Sequence, residues 1–186
     1  MNLIGWVLMS DIEVVKLTDK KLLQWACSMT RDSESAMNLD RIYRNEHSPM
    51  RTQLFCISMY GIPTFVSTHF VRHNIGIIGH YCKTQRDDRI GETEGDAHDR
   101  WTPTNHGILC NAQALINIAR KRLCHTSHWA TMDVMRDILC SVAEVDPDLA
   151  KRMVPECIYR GGVCHEDRIC GKRKNIKHWK EVELDR

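Results

Sequence analysis

Residues 54–73, Leu-Phe-Cys-Ile-Ser-Met-Tyr-Gly-Ile-Pro-Thr-Phe-Val-Ser-Thr-His-Phe-Val-Arg-His, carry the pattern that decides the fold. Leu54 to Tyr60 is β-branched and aromatic enough for a strand, which ends at Gly61. Pro63 has no N–H to leave unsatisfied and a φ already set for a first helical turn, so a helix is expected from there to about His73. A strand feeding directly into a helix points to a mixed α and β architecture.

Working outward, Trp6-Val7-Leu8 and Val14-Val15 give residues 2–17 strand character. Thr18 or Asp19 can cap a helix to about Thr30, with Leu22, Leu23, Trp25 and Ala26 on one face. Residues 32–48 read as a short helix and a loop, and 74–86 as extended chain. Residues 87–106 form a polar excursion with six acids between Asp87 and Asp99. Helices are expected over roughly 107–123 and 128–144, then a short helix after Pro147 and a loop-rich tail. The predicted fold class is α/β (α+β), a mostly antiparallel sheet flanked by helices. Residues 1–156 make one domain, and 157–186 a cysteine-rich, basic tail, either part of it or a loose extension.

Composition removes several classes. A chain of 186 residues with 42% hydrophobic and 27% charged residues is long enough for one core and is not disordered. Its 26 Lys and Arg against 24 Asp and Glu give a net charge of +2, too balanced for a general nucleic-acid clamp, so nucleic acid is not an expected partner. No apolar run reaches the ~18 residues of a membrane helix. The opening Met-Asn-Leu-Ile-Gly-Trp-Val-Leu-Met-Ser lacks a basic leader region and a small-residue cleavage site, so we expect a cytoplasmic protein. Nine cysteines, an odd number scattered along the chain, argue for reduced thiols over a disulfide framework.

The densest polar constellation is Thr68-His69-Phe70-Val71-Arg72-His73-Asn74. On a helix, His69, Arg72 and His73 share a face, which suits an anion or cofactor better than a core stripe. A solvated face is the bland alternative. A metal pair at His69 and His73 would want a Glu beside the first His, which is absent. Lys83-Thr84-Gln85-Arg86-Asp87-Asp88-Arg89 adds further cations; arginine suits phosphate because its planar fork makes two hydrogen bonds at once. In the tail, Cys157, Cys164, His165 and Cys170 could supply zinc ligands. The gap between the first two is wider than the usual spacing of about two to four, so no metal is assigned and zinc stays an alternative. The basic run from Lys172 to Lys180 reads as a solvated tail.

At this point the sequence resembles the flavin-dependent thymidylate synthases. The resemblance rests on His47-Ser48-Pro49 before a strand, then His69-Phe70-Val71-Arg72-His73 closing a helix, then Thr84-Gln85-Arg86 after an extended segment. Asn111-Ala112-Gln113-Ala114-Leu115-Ile116-Asn117, continuing to Arg122, is similar to the family's Asn-x-Arg-x-Leu-x-Asn helix and its arginine. Pro155-Glu156-Cys157 and Gly162-Val163-Cys164-His165-Glu166 to Cys170-Gly171 look like the tails of some members. The likeness runs in order over residues 45–171.

The resemblance implies reductive methylation of dUMP to dTMP by a homotetramer with FAD, methylenetetrahydrofolate as carbon donor and NADPH as reductant. Arg72, His73, Asn74, Asn111 and Asn117 would hold the flavin. His69, Thr84, Gln85, Arg86 and Arg122 would hold dUMP, with Arg72 and Arg122 at the reacting centre. Asn111 and Arg122 are eleven residues apart and would share a helix face, while Asn117 points elsewhere, which suits a site shared between subunits. The sequence departs from the pattern at Asn74 and Gln113, where arginine is usual, and at Cys82, where an acid is. The family's middle helix gives way to the acidic stretch. The alternative is a non-catalytic or altered-substrate descendant that binds a nucleotide or nucleic acid, with or without zinc in the tail.

Overall fold

A computed structural model describes residues 11–30, 38–84 and 99–183. The strand expected at Trp6-Val7-Leu8, the acidic stretch 87–98 and the candidate residues Gln85 and Arg86 lie outside the described residues. Four strands, β1 (Asp11–Lys16), β2 (Leu54–Pro63), β3 (Ile77–Cys82) and β4 (Pro103–Asn111), form one antiparallel sheet in the order β1-β2-β4-β3. The helices are α1 (Lys20–Ser28), α2 (Leu39–Arg44), α3 (Thr64–Val71), α4 (Ala112–Arg122), α5 (Trp129–Val145), α6 (Pro147–Ala150) and α7 (Glu156–Tyr159). A parallel pair, β5 (Val163–Cys164) and β6 (Lys177–His178), and a last helix, α8 (Trp179–Glu183), complete the tail.

The antiparallel sheet flanked by helices is the architecture the sequence predicts. β2 alternates as expected, with Phe55, Ile57 and Met59 facing the core. They stand opposite Cys110, Ile108 and His106 of β4, so both central strands line one face. Leu115, Ile116 and Ile118 of α4 and Val134, Met135, Ile138 and Val142 of α5 belong to the same core. Gly61 adopts a φ of 67° at the irregularity between Met59 and Ile62, where the strand turns toward α3. Among the described residues no helix is long and apolar enough to cross a membrane.

Several boundaries differ from expectation: β2 runs past Gly61 to Pro63, which is the N-cap of α3, and β4 begins at Pro103 inside the stretch read as a polar excursion. Residues 107–111 belong to β4, and the helix expected from 107 begins at Ala112. The reason is that β4 buries Thr104 and His106 as well as Ile108 and Cys110, so two polar side chains occupy core positions and conceal a period of two. Asn111 is therefore the N-cap of α4, its side chain accepting from Ala114 N at 3.0 Å.

Asp146 ties the outer layer together. At 3% exposure it receives Lys16 Nζ from β1 at 2.6 Å and the Tyr43 hydroxyl from α2 at 2.7 Å on one oxygen. Its other oxygen caps α6 through Leu149 N at 3.1 Å. Burial, then the Asp146 charge, raises the Tyr43 phenol far above its ordinary value, so it is a permanent donor.

Candidate functional site

The last turn of α3 and the last turn of α4 meet. Phe65, Val66 and Phe70 bury one side of α3, which leaves the His69 ring against Thr131 of α5, His73 turned toward α4 and Arg72 exposed at the C-cap. Arg122, the final residue of α4, crosses the gap. Its Nε donates to His73 Nε2 at 2.9 Å and its Nη2 to the His69 carbonyl at 2.6 Å. The first bond fixes His73 with its proton on Nδ1. The second satisfies a carbonyl that the end of α3 leaves open, with a cation on the negative end of the helix dipole. The structure thus brings together His69, Arg72, His73 and Arg122, with Asn74 next in chain.

The electrostatics of this cluster are unbalanced. Burial and then Arg72 lower the Arg122 guanidinium. Burial, Arg122 and Arg72 lower His69, with His128 and Arg100 adding. His73 falls to about 4 through burial, Arg122, His80 and Lys121. No carboxylate is among these influences, and among the described residues neither Arg72 nor Arg122 forms an ion pair. Arg122 uses two of its donors internally and keeps others. The arrangement can bind an anion, and it does not suit a cation: a metal at His69 and His73 would meet a guanidinium at His73 and the Thr131 hydroxyl, 2.7 Å away, at His69 Nδ1.

Beneath the cluster runs a hydrogen-bonded chain. His80 Nε2 donates to the His73 carbonyl at 2.9 Å, so His80 Nδ1 accepts from His106 Nε2 at 3.0 Å. His106 Nδ1 in turn accepts from the Ser67 hydroxyl at 3.0 Å. With both rings neutral, the carbonyl at one end fixes every proton. His106 is 1% exposed, and burial, with His80, lowers it to about 4. His73 and His106 are depressed in the folded protein, so the unfolded chain binds more protons below the ordinary histidine value near 6.5. Stability is fully present above that pH and is lost as pH falls toward 4, by on the order of 3 kcal/mol from His106 alone. Urea unfolding between pH 7 and 4.5 should show this decline, and His106→Gln should flatten it; an unchanged slope would remove His106 as its source.

The other predicted residues are dispersed. Asn111 stands at the far end of α4 from Arg122, about 16 Å along the helix axis at 1.5 Å per residue. They share an angular face but no local site. Gly76 approaches Asn111 so closely that an added Cβ would lie 2.5 Å from its Oδ1, and the Gly76 φ of 79° excludes a side chain independently. Asn117 is half-buried midway along α4. Thr84 follows β3 at the end away from Gly76, about 25 Å from it at strand rise.

Gln113, one of the departures, is occupied structurally. Its amide donates to Glu46 at 2.5 Å, and the Tyr159 hydroxyl donates to the other Glu46 oxygen. The Tyr159 ring lies 3.9 Å from the Arg120 guanidinium, which grips Glu156 through Nε at 2.8 Å and Nη2 at 3.0 Å. Glu156, held to about 2 chiefly by Arg120, also receives Arg160. This lattice fixes the start of the tail to α4.

Two features escaped the sequence reading. Phe65, Trp101, His128 and Trp129 make a continuous aromatic surface, with ring centroids 4.7–5.8 Å apart and Arg100 over Phe65 at 4.5 Å. Trp101 and Trp129 are 41% and 44% exposed, and the signal was their presence in polar stretches. Cys124, just beyond α4, lines a pocket with His125, Cys157, Cys164, His165 and Cys170. Burial raises the Cys157 thiol; Arg173 opposes this, while Cys124 and Cys164 add to it.

The fold that carries this cluster has known counterparts. No family model matches the chain. Over 68 residues it is 34% identical to a protein named flavin-dependent thymidylate synthase from Clostridium tetani, a match covering 36% of this chain and 26% of that relative. Solved structures resemble it over more of its length. Thymidylate Synthase X (ThyX) from Helicobacter pylori, with FAD and dUMP, aligns at a TM-score of 0.60 and 12% identity over 77% of this chain and 99% of that one. The chain has the fold of the flavin-dependent thymidylate synthases. A UMP/dUMP methylase, PolB from Streptomyces cacaoi, bound with 5-Br dUMP, aligns at a TM-score of 0.59 and 13% identity over 77% of this chain and 94% of that one. Within this thymidylate synthase fold, the paired ends of α3 and α4 hold the cation cluster.

Proposed function

We propose that the chain is an FAD-dependent thymidylate synthase-like enzyme that converts dUMP to dTMP, with methylenetetrahydrofolate and NADPH as co-substrates. The observation that carries this reading is the Arg72 and Arg122 pair: Arg72 lies close enough to add to the burial that lowers the Arg122 guanidinium, and among the described residues neither forms an ion pair. Both FAD and dUMP present phosphates, and such a pair fits them. The donor set therefore fits the flavin, and Trp101 and Trp129 offer exposed π faces nearby. When bound, FAD supplies the hydride chemistry.

The protein's own part is binding and orientation. Arg72 and the His73 imidazole, protonated on Nδ1, hold one anionic ligand. Arg122 keeps donors for the nucleotide while its internal bonds fix the guanidinium plane. Asn111 and Asn117 offer amides to a ring edge, and Asn74 flanks them. Thr84, Gln85 and Arg86 join Arg122 at the nucleotide in this reading. The enzyme is a homotetramer with sites shared between subunits. A cytoplasmic location fits these water-borne substrates.

The test is direct. The purified protein should be yellow, bleach with NADPH, and release tritium from labelled dUMP. A second reading, a nucleotide-binding descendant without turnover, is favoured by Arg122 acting as a helix cap and by Gln113 being locked to Glu46. It would give a colourless protein that still binds dUMP. Arg72→Ala should abolish flavin retention in the enzyme, read as loss of flavin absorbance; full absorbance would remove the assignment.

A further inference from the structure

The tail presents an energetic problem. Between Cys157 and Val182 the only buried side chain is Cys164, yet the segment is ordered around β5 and β6. Its order rests on few contacts, such as Lys177 N to the Gly162 carbonyl at 2.9 Å and His178 Nε2 to the Glu166 carbonyl at 3.0 Å. Loop-rich segments of this size without a core are commonly held by disulfides, metal ions or a partner subunit.

The thiols are distributed to suit that need. Cys27, Cys56, Cys82, Cys110 and Cys140 lie on the helices and strands of the main domain. The remaining four line a single pocket and arrive there from four places: the turn after α4 (Cys124), α7 (Cys157), β5 (Cys164) and the loop beyond it (Cys170). Turns bring them in. Gly162 N donates to the Cys157 carbonyl at 2.8 Å, closing the loop between Cys157 and Cys164, and Gly161, Gly162 and Gly171 all have positive φ. Arg168 and Arg173 line the same pocket.

We propose that Cys124, Cys157, Cys164 and Cys170 form a structural four-thiolate zinc site that fastens the tail to the end of α4. Tetrahedral zinc closed by four thiolates is one of the common forms of a structural site. Binding releases the four thiol protons to solvent and leaves a net charge of −2, which Arg168 and Arg173 offset. Among the described residues no three His, Cys, Asp or Glu side chains already surround one point, so the thiols must rotate inward. Cys170 is exposed and Cys124 half-exposed, so both have room to do so. Cys124 supplies the ligand that the wide Cys157–Cys164 spacing leaves wanting.

The experiment uses the untagged full chain, purified reduced and without chelator. Plasma mass spectrometry should find about one zinc per chain. Cobalt exchanged into the site should give the strong near-ultraviolet thiolate band and the visible bands of a tetrahedral ion. Cys157→Ser with Cys164→Ser should lower zinc content at least about tenfold, while Cys27→Ser with Cys140→Ser should retain it. The proposal fails if the reduced wild type holds no zinc and shows no cobalt–thiolate band. It also fails if thiol trapping reveals disulfides among these four cysteines, or if the double variant keeps its zinc. Should that variant not fold, cobalt exchange into the wild type still decides.

Discussion

Asp146→Ala should lower the stability of the folded chain by about 3–5 kcal/mol, the range for breaking a buried ion pair on one side. The carboxylate is 3% exposed and serves three elements at once: Lys16 on β1, the Tyr43 hydroxyl on α2 and the first turn of α6. Alanine leaves Lys16 and the Tyr43 hydroxyl without their acceptor and removes a cap. The edge strand feels it most, because β1 has only β2 beside it in the sheet. In urea, with a slope of about 2 kcal/mol/M, the midpoint should fall by about 2 M with the slope unchanged. Asp146→Asn keeps an oxygen for Leu149 N and should cost less. A midpoint within about 0.3 M of wild type would show that the three contacts carry little of the fold's stability.

The strands and helices that were legible in the sequence share a property: one kind of residue fills their buried face. β2 alternates Phe55, Ile57 and Met59, and Pro63 marks the start of α3, so local chemistry and burial agree there. β4 was illegible for the opposite reason. Its buried face includes Thr104 and His106, and a histidine is a tolerable core residue only because Ser67 and His80, from α3 and β3, complete its hydrogen bonds. Partners that arrive from 39 and 26 residues away leave no local trace.

The site divides along the same line. His69, Arg72 and His73 were visible as a face of one helix, because i, i+3 and i+4 spacing is local. Arg122 was placed beside them only by resemblance, and its two bonds to α3 span 49 and 53 residues. The angular argument that put Asn111 and Arg122 on one helix face gives direction and not distance: a helix face is a line, and these residues lie at its two ends. Trp101, His128 and Trp129 gave no pattern, since they come together only where the turn before α5 meets the segment before β4.

Arg122→Ala should weaken dUMP binding about 10- to 100-fold, the loss of one or two charge-assisted hydrogen bonds, and change flavin binding by less than about fivefold. This expectation belongs to the proposed enzyme function, and part of it is independent of turnover. Removing the guanidinium takes away the donor at His73 Nε2 and one of the positive charges that depress His73, so the imidazole should titrate nearer its ordinary value. Burial, the larger cause, remains, so the recovery is partial. Proton NMR of the His73 ring reads that shift directly. Arg122→Lys keeps the charge without the fork and should fall between wild type and alanine for dUMP, since a lysine ammonium cannot bridge His73 and the His69 carbonyl while also holding a phosphate. Equal dUMP titrations for wild type and Arg122→Ala would confine Arg122 to its role as the cap of α3. A His73 shift accompanied by lost dUMP affinity would show that one guanidinium both closes the helix and receives the nucleotide, which its unused donors allow.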